Sequence, residues 1–196
     1  MRISQLKKRL TPVVTGAKCA VAIPVPGPVL RDAVLQAHLD PAVRQIDYLP
    51  HARLSGQQVA LNAILLIRDD ARYILSIAEV GRARDLDDGE VRLITFEEQG
   101  LRLLELTPEE IRQEPRLSNV REVWKHSRTH VHLKDRLQIM AVLADEGSLS
   151  LGELERRVSH TMDFATSVCA LACADIVELE LTQRPLGPRT VVRERR

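Results

Sequence analysis

The chain has 196 residues, of which 44% are hydrophobic and 28% are charged. This size and composition allow one medium domain or two small ones, each with a substantial hydrophobic core. Because 28 basic and 27 acidic residues give a formal charge of +1, no overall electrostatic field attracts nucleic acid. Any DNA binding must therefore come from local basic patches.

Cysteine usage and the N-terminal sequence both favour a cytoplasmic protein. The three cysteines, Cys19, Cys169 and Cys173, are an odd number without a disulfide-like framework. Cys169 and Cys173 are one helical turn apart in a stretch rich in Ala and Leu, which favours burial over metal or redox use. The proline-rich stretch 24–28 interrupts the apolar run after the basic N-terminus, so we expect no signal peptide and no membrane span.

The N-terminal part of the chain predicts an arm, a helix and three strands. Residues 1–28 are expected to be the arm, and Val29–Leu39 has the spacing of a helix. Val43–Pro50 alternates as a strand does. Val59–Ile67 and Arg72–Val80 are apolar runs joined by a polar turn, which is typical of paired strands.

A further strand, a capped helix and a basic helix are predicted in the rest of this region. Leu101–Leu106 alternates polar and apolar residues. Thr107 then caps a helix, because proline follows it and Glu110 stands at the third helical position. A basic helix is expected over Val120–Arg128. Residues 29–130 are therefore predicted to form an α/β domain.

The remaining residues, 131–196, predict a winged helix–turn–helix domain. A helix, a short helix, a third helix and a two-stranded ribbon follow one another in the order typical of that domain. The predicted elements are Leu133–Ala144, Ser148–Val158, Asp163–Ala174, Ile176–Leu181 and Thr190–Arg193. The apolar positions of the first helix are Leu133, Leu137, Met140, Ala141 and Ala144.

Several stretches of the chain resemble the TnsA-like transposon-end endonucleases, a branch of the PD-(D/E)XK restriction-endonuclease-like fold. The resemblance rests on Leu39-Asp40-Pro41-Ala42-Val43, Val43–Pro50, Arg72-Tyr73-Ile74-Leu75, Leu106–Arg112 and Arg116–Val120. It covers most of the chain, and a winged-helix tail also occurs in the family. The resemblance implies a restriction-endonuclease-like mixed sheet flanked by helices.

The acidic residues of an active nuclease are missing from the positions that the resemblance assigns to them. Such enzymes hold divalent cations with carboxylates and place a lysine near the attacking water. The resemblance puts Asn62 in the place of the first-strand Asp, and Ser76 and Ala78 in the places of Glu and Lys. Leu30 stands near the acid of the opening helix. We therefore predict a degenerate site, with no catalytic residue, no metal and no cofactor.

Two other groups of residues suggest a metal site, and both are weaker hypotheses. Glu79 and Arg82 offer a displaced carboxylate and a basic group, which would make the protein an active endonuclease. However, Glu79 is an odd number of residues from both Ser76 and Ala78, so a regular strand turns it to the opposite face. Three histidines also cluster in the linker, without a matching Cys or carboxylate pair. They are His126, His130 and His132.

Basic residues around the predicted wing are the best candidates for DNA contact. The third tail helix contains no basic residue, and only Thr166 and Ser167 could contact bases or phosphates, so direct base readout is expected to be poor. Arginines near the wing can contact phosphate. The candidate DNA-binding residues are Arg184, Arg189, Arg193, Arg195, Arg121, Lys125 and Arg128. Arg156, Arg157 and Arg196 lie in the same basic clusters.

The leading hypothesis is a catalytically inactive nuclease-fold protein that binds DNA, a protein partner, or both, in DNA transposition or recombination. The partner would be of the transposase or regulatory type. A rival hypothesis is a transcriptional regulator that uses the nuclease-like domain to form a homodimer. An active endonuclease with a displaced site is the third.

Overall fold

The computed structural model describes residues 11–54, 57–78, 96, 99–160 and 163–195. It confirms an α/β fold, in which a four-stranded mixed sheet is flanked by helices. The first half contains β1 (Val13–Val14), β2 (Ile23–Pro24), α1 (Pro28–Leu39), β3 (Val43–Leu54), β4 (Gln57–Arg68), β5 (Arg72–Ile77) and β6 (Arg102–Leu106). The second half contains α2 (Pro108–Ile111), α3 (Arg116–Trp124), α4 (Leu133–Glu146), β7 (Leu149–Ser150), α5 (Leu151–Arg157), α6 (Phe164–Cys173), β8 (Val177–Leu179) and β9 (Val191–Glu194).

The main sheet has the order β3-β4-β5-β6. β3, β4 and β5 pair antiparallel, whereas β6 runs parallel to β5. A parallel pair needs a long crossover connection, and residues 78–101 make it. Most of that connection lies outside the described residues. β4 is rich in Ile and Leu because it lies between two neighbours and both of its faces are covered.

A β-bulge interrupts the pairing of β3 with β4 beside Asn62. His51 pairs with Ala60 and Leu49 with Ala63, so two residues of β4 oppose the single residue Pro50. Asn62 has a φ of +49°, a left-handed conformation that Asn tolerates better than most residues. Proline has no N–H to donate to the ladder, which is why the irregularity falls opposite Pro50.

The capping box predicted at Thr107 is confirmed. The Thr107 hydroxyl accepts a hydrogen bond from the Glu110 N–H at 3.2 Å, and the Glu110 carboxylate accepts one from the Thr107 N–H at 2.7 Å. A second capping box, at Ser150 and Glu153, begins α5. Both boxes satisfy N–H groups that the first helical turn leaves without partners.

One hydrophobic core runs across the boundary predicted near residue 131. It includes Val34 of α1, Ile46 of β3, Val123 of α3, Val168 of α6 and Val192 of β9. The predicted arm also joins this core, since Ile23 and Val25 are buried. A smaller cluster covers the other face of the sheet, with Phe96 and Leu101 packed over it. The predicted arm, nuclease-like region and tail are thus in direct contact.

Helix α4 turns most of its predicted apolar positions outward. Ile139 and Leu143 are buried, but Leu133 and Leu137 are 66% and 58% exposed. The sequence pattern predicted an amphipathic helix but chose the wrong packing face. Ile139 and Leu143 form a second apolar row on the opposite side, and that row packs against the core. None of the helices in the described segments is both long and apolar enough to span a bilayer.

Candidate nucleic-acid interface

The three positions of the predicted degenerate nuclease site do not form one pocket. Asn62 accepts a hydrogen bond from the Tyr48 hydroxyl at 2.9 Å, and Tyr48 packs on the face of the sheet that carries the main core. Ser76 is adjacent to Leu75, which points into that core, so Ser76 points to the other face with Ile74. Ala78 is the first residue after β5. These side chains therefore could not bind one metal ion together.

The residues of the alternative metal hypotheses are not brought together either. Glu79 and Arg82 lie outside the described residues. The rings of His130 and His132 have centroids 6.2 Å apart. Within the described ranges, no group of three or more His, Cys, Asp or Glu side chains is close enough to hold a metal ion.

The third tail helix, α6, is buried inside the molecule. From Ser167 to Cys173 every residue of α6 is buried, and the helix packs against α1 and α3. Ser167 donates to the Asp163 carbonyl at 3.1 Å, so its hydroxyl is used within the helix. The small side chains of α6 allow this close approach. Only the first turn of α6 is accessible, where Ala165 is exposed and Thr166 is half-buried, so the rest of the helix offers no surface to a DNA groove.

Asn119 fixes the loop between β8 and β9 to helix α3. Its side-chain amide donates to the carbonyls of Leu181 and Arg184, at 2.8 and 2.7 Å. Its side-chain oxygen accepts from the Leu186 N–H at 2.8 Å. Asn119 is 4% exposed, and the three hydrogen bonds balance the cost of burying its amide. Sequence reasoning missed this residue, because a single Asn in a basic helix carries no signal of its distant partners.

Three candidate arginines are exposed on and beside this loop. We refer to Arg184, Arg189 and Arg193 as the wing arginines, and all three are exposed. Arg193 also borders a cleft of about 240 Å³ between α1, α3 and β8. The charges lining that cleft are mixed. They come from Asp40, Arg116, Glu178, Glu180 and Arg193.

Arg195 is held inside the protein rather than presented to solvent. Its side chain is 9% exposed, and its Nε and Nη1 atoms lie 3.0 Å from Asp175 and 2.9 Å from Glu178. The guanidinium also donates to the carbonyls of Pro41 and Val43. These contacts use its donors within the chain. We therefore remove Arg195 from the candidate DNA surface.

The candidates on and after α3 form a separate group. Arg121 donates to both carboxylate oxygens of Asp32, at 2.6 and 3.2 Å, which ties α3 to α1. Lys125 pairs with Glu122 at 2.5 Å. Arg128 is exposed. Because two of the three cations face carboxylates of the same chain, this group offers less positive charge than its sequence indicates.

A buried polar cluster lies where the predicted arm meets the tail. Lys18 is 4% exposed and contacts the Asp175 carboxylate at 3.2 Å and the Asp40 carbonyl at 2.8 Å. Burial lowers the pKa of the Lys18 ammonium, and Asp175 opposes that effect. Asp175 thus joins Lys18 to Arg195. Sequence reasoning did not find this cluster, because its members are far apart in the chain.

His38 is completely buried beside this cluster. Its Nε2 lies 3.0 Å from the Cys173 carbonyl, and its ring contacts Trp124 edge-on with centroids 4.8 Å apart. Burial lowers the pKa of His38, while the hydrogen bond to the Cys173 carbonyl acts in the opposite direction. A Cβ atom on Gly16 would lie 2.5 Å from the His38 ring. Only glycine therefore fits at position 16.

Cys169 and Cys173 are core residues in the structure. Both are buried on α6, and the Cys173 thiol donates to the Val123 carbonyl at 3.4 Å. Burial raises the pKa of Cys169 to about 11 and that of Cys173 to about 12. Thiols with such pKa values are almost fully protonated at neutral pH and react slowly.

No protein-family model matches the chain, and no curated protein sequence is significantly similar to it.

Proposed function

We propose that this protein is a catalytically inactive, TnsA-like nuclease-fold protein whose wing arginines bind the phosphate backbone of DNA. Its role would be accessory or regulatory, in DNA transposition or recombination, alongside a partner of the transposase or regulatory type. The observation that carries the DNA-binding part is the exposed set of wing arginines on and beside a loop that Asn119 holds against α3.

The architecture supports the nuclease-fold part of the proposal. An opening helix precedes a mixed sheet that is flanked by helices. In this sheet β3, β4 and β5 are antiparallel, and β6 runs parallel to β5. The resemblance implies a sheet of this kind. The tail supports a winged-helix assignment, because α4, β7, α5, α6, β8 and β9 follow in that order and β7-β9-β8 form one small sheet.

The positions of Asn62 and Ser76 support a loss of catalysis. Neither residue is an acid. The two side chains also lie on different faces of the sheet, so the positions that the resemblance assigns to one site do not converge. A metal-dependent nuclease needs carboxylates that converge on one ion.

The burial of α6 determines the mode of DNA binding that we propose. Because α6 exposes only its first turn and carries no basic residue, affinity would come mainly from phosphate contacts, which carry little sequence information. The expected behaviour is DNA binding that is weakly sequence-dependent and strongly salt-dependent.

A gel-shift salt series on the full chain tests the proposal. We expect the logarithm of the association constant to fall linearly with the logarithm of salt concentration. The combined variant R184Q/R189Q/R193Q should bind more weakly, and its slope should be shallower by about 0.9 for each phosphate that it no longer neutralises. All three side chains are exposed, so folding should be unaffected.

A second triple variant controls for net charge. R31Q/R102Q/R112Q removes three exposed arginines outside the loop, and it should keep most of the affinity and the original slope. Equal losses of affinity in the two variants would mean that total charge matters and the wing does not. The absence of any DNA binding by the folded wild-type chain at low salt would reject this function.

A further inference from the structure

The outward face of α4 carries an apolar stripe that no described segment of the chain covers. Leu133 and Leu137 are 66% and 58% exposed, and Ala141 and Ala144 are exposed as well. Their spacing of four, four and three residues places them along one side of the helix. Packing of α4 on its own domain uses the other side, through Ile139 and Leu143. Folding therefore does not account for the stripe.

Charges of opposite sign stand at the two ends of this stripe. Lys134 and Asp145 are both exposed. They are eleven residues apart, close to three helical turns, so they lie in line along the same edge of the stripe. Leu133 and Ala144 have the same separation. The N-terminal end of the stripe therefore has a large apolar side chain and a positive charge, at Leu133 and Lys134. The C-terminal end has a small apolar side chain and a negative charge, at Ala144 and Asp145.

We propose that the α4 stripe binds a second copy of this chain, with the two α4 helices antiparallel about a two-fold axis. Leu133 then faces the partner's Ala144, so large and small side chains interdigitate. Lys134 meets the partner's Asp145, and the two-fold axis repeats both contacts. A parallel pair would instead place Lys134 and the partner's Asp145 at opposite ends of the interface, so neither contact could form.

The expected affinity is modest. One pair of short helices buries less than the roughly 1,200–2,000 Å² of a standard stable interface. The dissociation constant of the dimer should therefore be on the order of micromolar.

Sedimentation velocity of the full chain without DNA tests this surface separately from the proposed function. Between about 1 and 200 µM, a range chosen to span the expected constant, the wild-type chain should shift from monomer to dimer. L137E should stay monomeric, because it places a charge in the centre of the stripe. V21E is the control: Val21 is 48% exposed in another part of the chain, and its substitution should leave the dimer unchanged.

Charge reversal identifies the antiparallel arrangement. K134E alone and D145K alone should each weaken the dimer by at least about tenfold, because each creates two like-charge contacts. An equimolar mixture of the two variants should associate, since every cross-contact then joins opposite charges. The double variant K134E/D145K should also dimerise.

Three outcomes would overturn the proposal. One is a wild-type chain that stays monomeric at every concentration, as expected if the stripe binds a different protein. Another is a dimer that persists in L137E. The last is a mixture of K134E and D145K that associates no better than each variant by itself.

Discussion

Arg195 and Asp175 form an ion pair, with Nε and Oδ1 3.0 Å apart, that connects the end of β9 to the turn after α6. Asp175 also contacts Lys18, and Arg195 reaches the carbonyls of Pro41 and Val43. One small network therefore joins the N-terminal segment, the start of β3 and the tail. Arg193, only two residues away, is exposed.

The contrast between these two arginines gives the first prediction. R195A should lower the free energy of unfolding by about 1–3 kcal/mol. Glu178 and the carbonyls of Pro41 and Val43 lose their guanidinium donor, whereas Asp175 keeps its contact with Lys18. R193A should change stability by less than about 0.5 kcal/mol, since it alters only an exposed side chain. Urea unfolding followed by circular dichroism measures both. Similar destabilisation of the two variants would show that Arg195 has no special structural role.

Asn119 gives a second prediction, which links stability to DNA binding. N119A should lower the free energy of unfolding by about 2–3 kcal/mol, because the carbonyls of Leu181 and Arg184 and the Leu186 N–H lose their hydrogen-bond partner. It should also weaken DNA binding without changing the net charge, because the loop that carries Arg184 is no longer fixed to α3. Urea unfolding and gel shift measure the two effects. Gln113, which is exposed and lies just before α3, supplies the control: Q113A should change neither the free energy of unfolding nor the affinity for DNA.

The third prediction concerns pH. Burial lowers the pKa of His38 below that of an unfolded histidine, which is about 6.5. The unfolded chain therefore binds a proton that the folded chain resists. The free energy of unfolding should fall as the pH drops below about 6.5, and the contribution of His38 should level off below its folded pKa.

Urea unfolding between pH 7.5 and pH 5, values chosen to bracket the ordinary histidine pKa of about 6.5, measures this effect. H38Q should flatten the profile, because glutamine can donate to the Cys173 carbonyl but does not titrate. H130Q removes an exposed histidine and should leave the profile unchanged. A wild-type profile that is flat across this range would contradict the prediction.

The fourth prediction concerns catalysis. The wild-type chain should not cleave supercoiled, linear or branched DNA with magnesium or manganese. Introducing the acids and lysine of the resembling nucleases, in N62D/S76E/A78K, should not create cleavage either, because Asn62 and Ser76 lie on different faces of the sheet. Agarose gels of the folded proteins measure the products. Metal-dependent cleavage by the wild-type chain would instead favour a displaced site.

Local patterns in the sequence were sufficient to predict most elements of this protein. Alternating and apolar runs predicted β4, β5 and β6, and the Thr107 capping box predicted the start of α2. Such signals depend on residues a few positions apart, so they can be recognised without knowledge of the fold. Strand β3 ends four residues later than expected, at Leu54, because pairing with β4 extends it beyond Pro50.

The candidate site was predictable only in part. The sequence identified the basic residues near the predicted wing. It could not distinguish Arg195, whose guanidinium is held by carboxylates of the chain, from Arg193, which is exposed. It also grouped Asn62 with Ser76, whereas strand register separates them. Register and burial depend on partners far away in the chain, and no local spacing encodes them.

By itself, the sequence determined the type and order of most elements, but not the short strands β1, β2 and β7. It also determined that no acid stands at the positions that the resemblance assigns to a nuclease site. Tertiary structure alone decided that most of α6 is buried against α1 and α3, that Asn119 fixes the loop between β8 and β9, and that α4 turns Leu133 and Leu137 outward. The physical reason is that an amphipathic or small-residue helix can pack with more than one partner. Which face it buries depends on the surfaces that the rest of the chain brings against it.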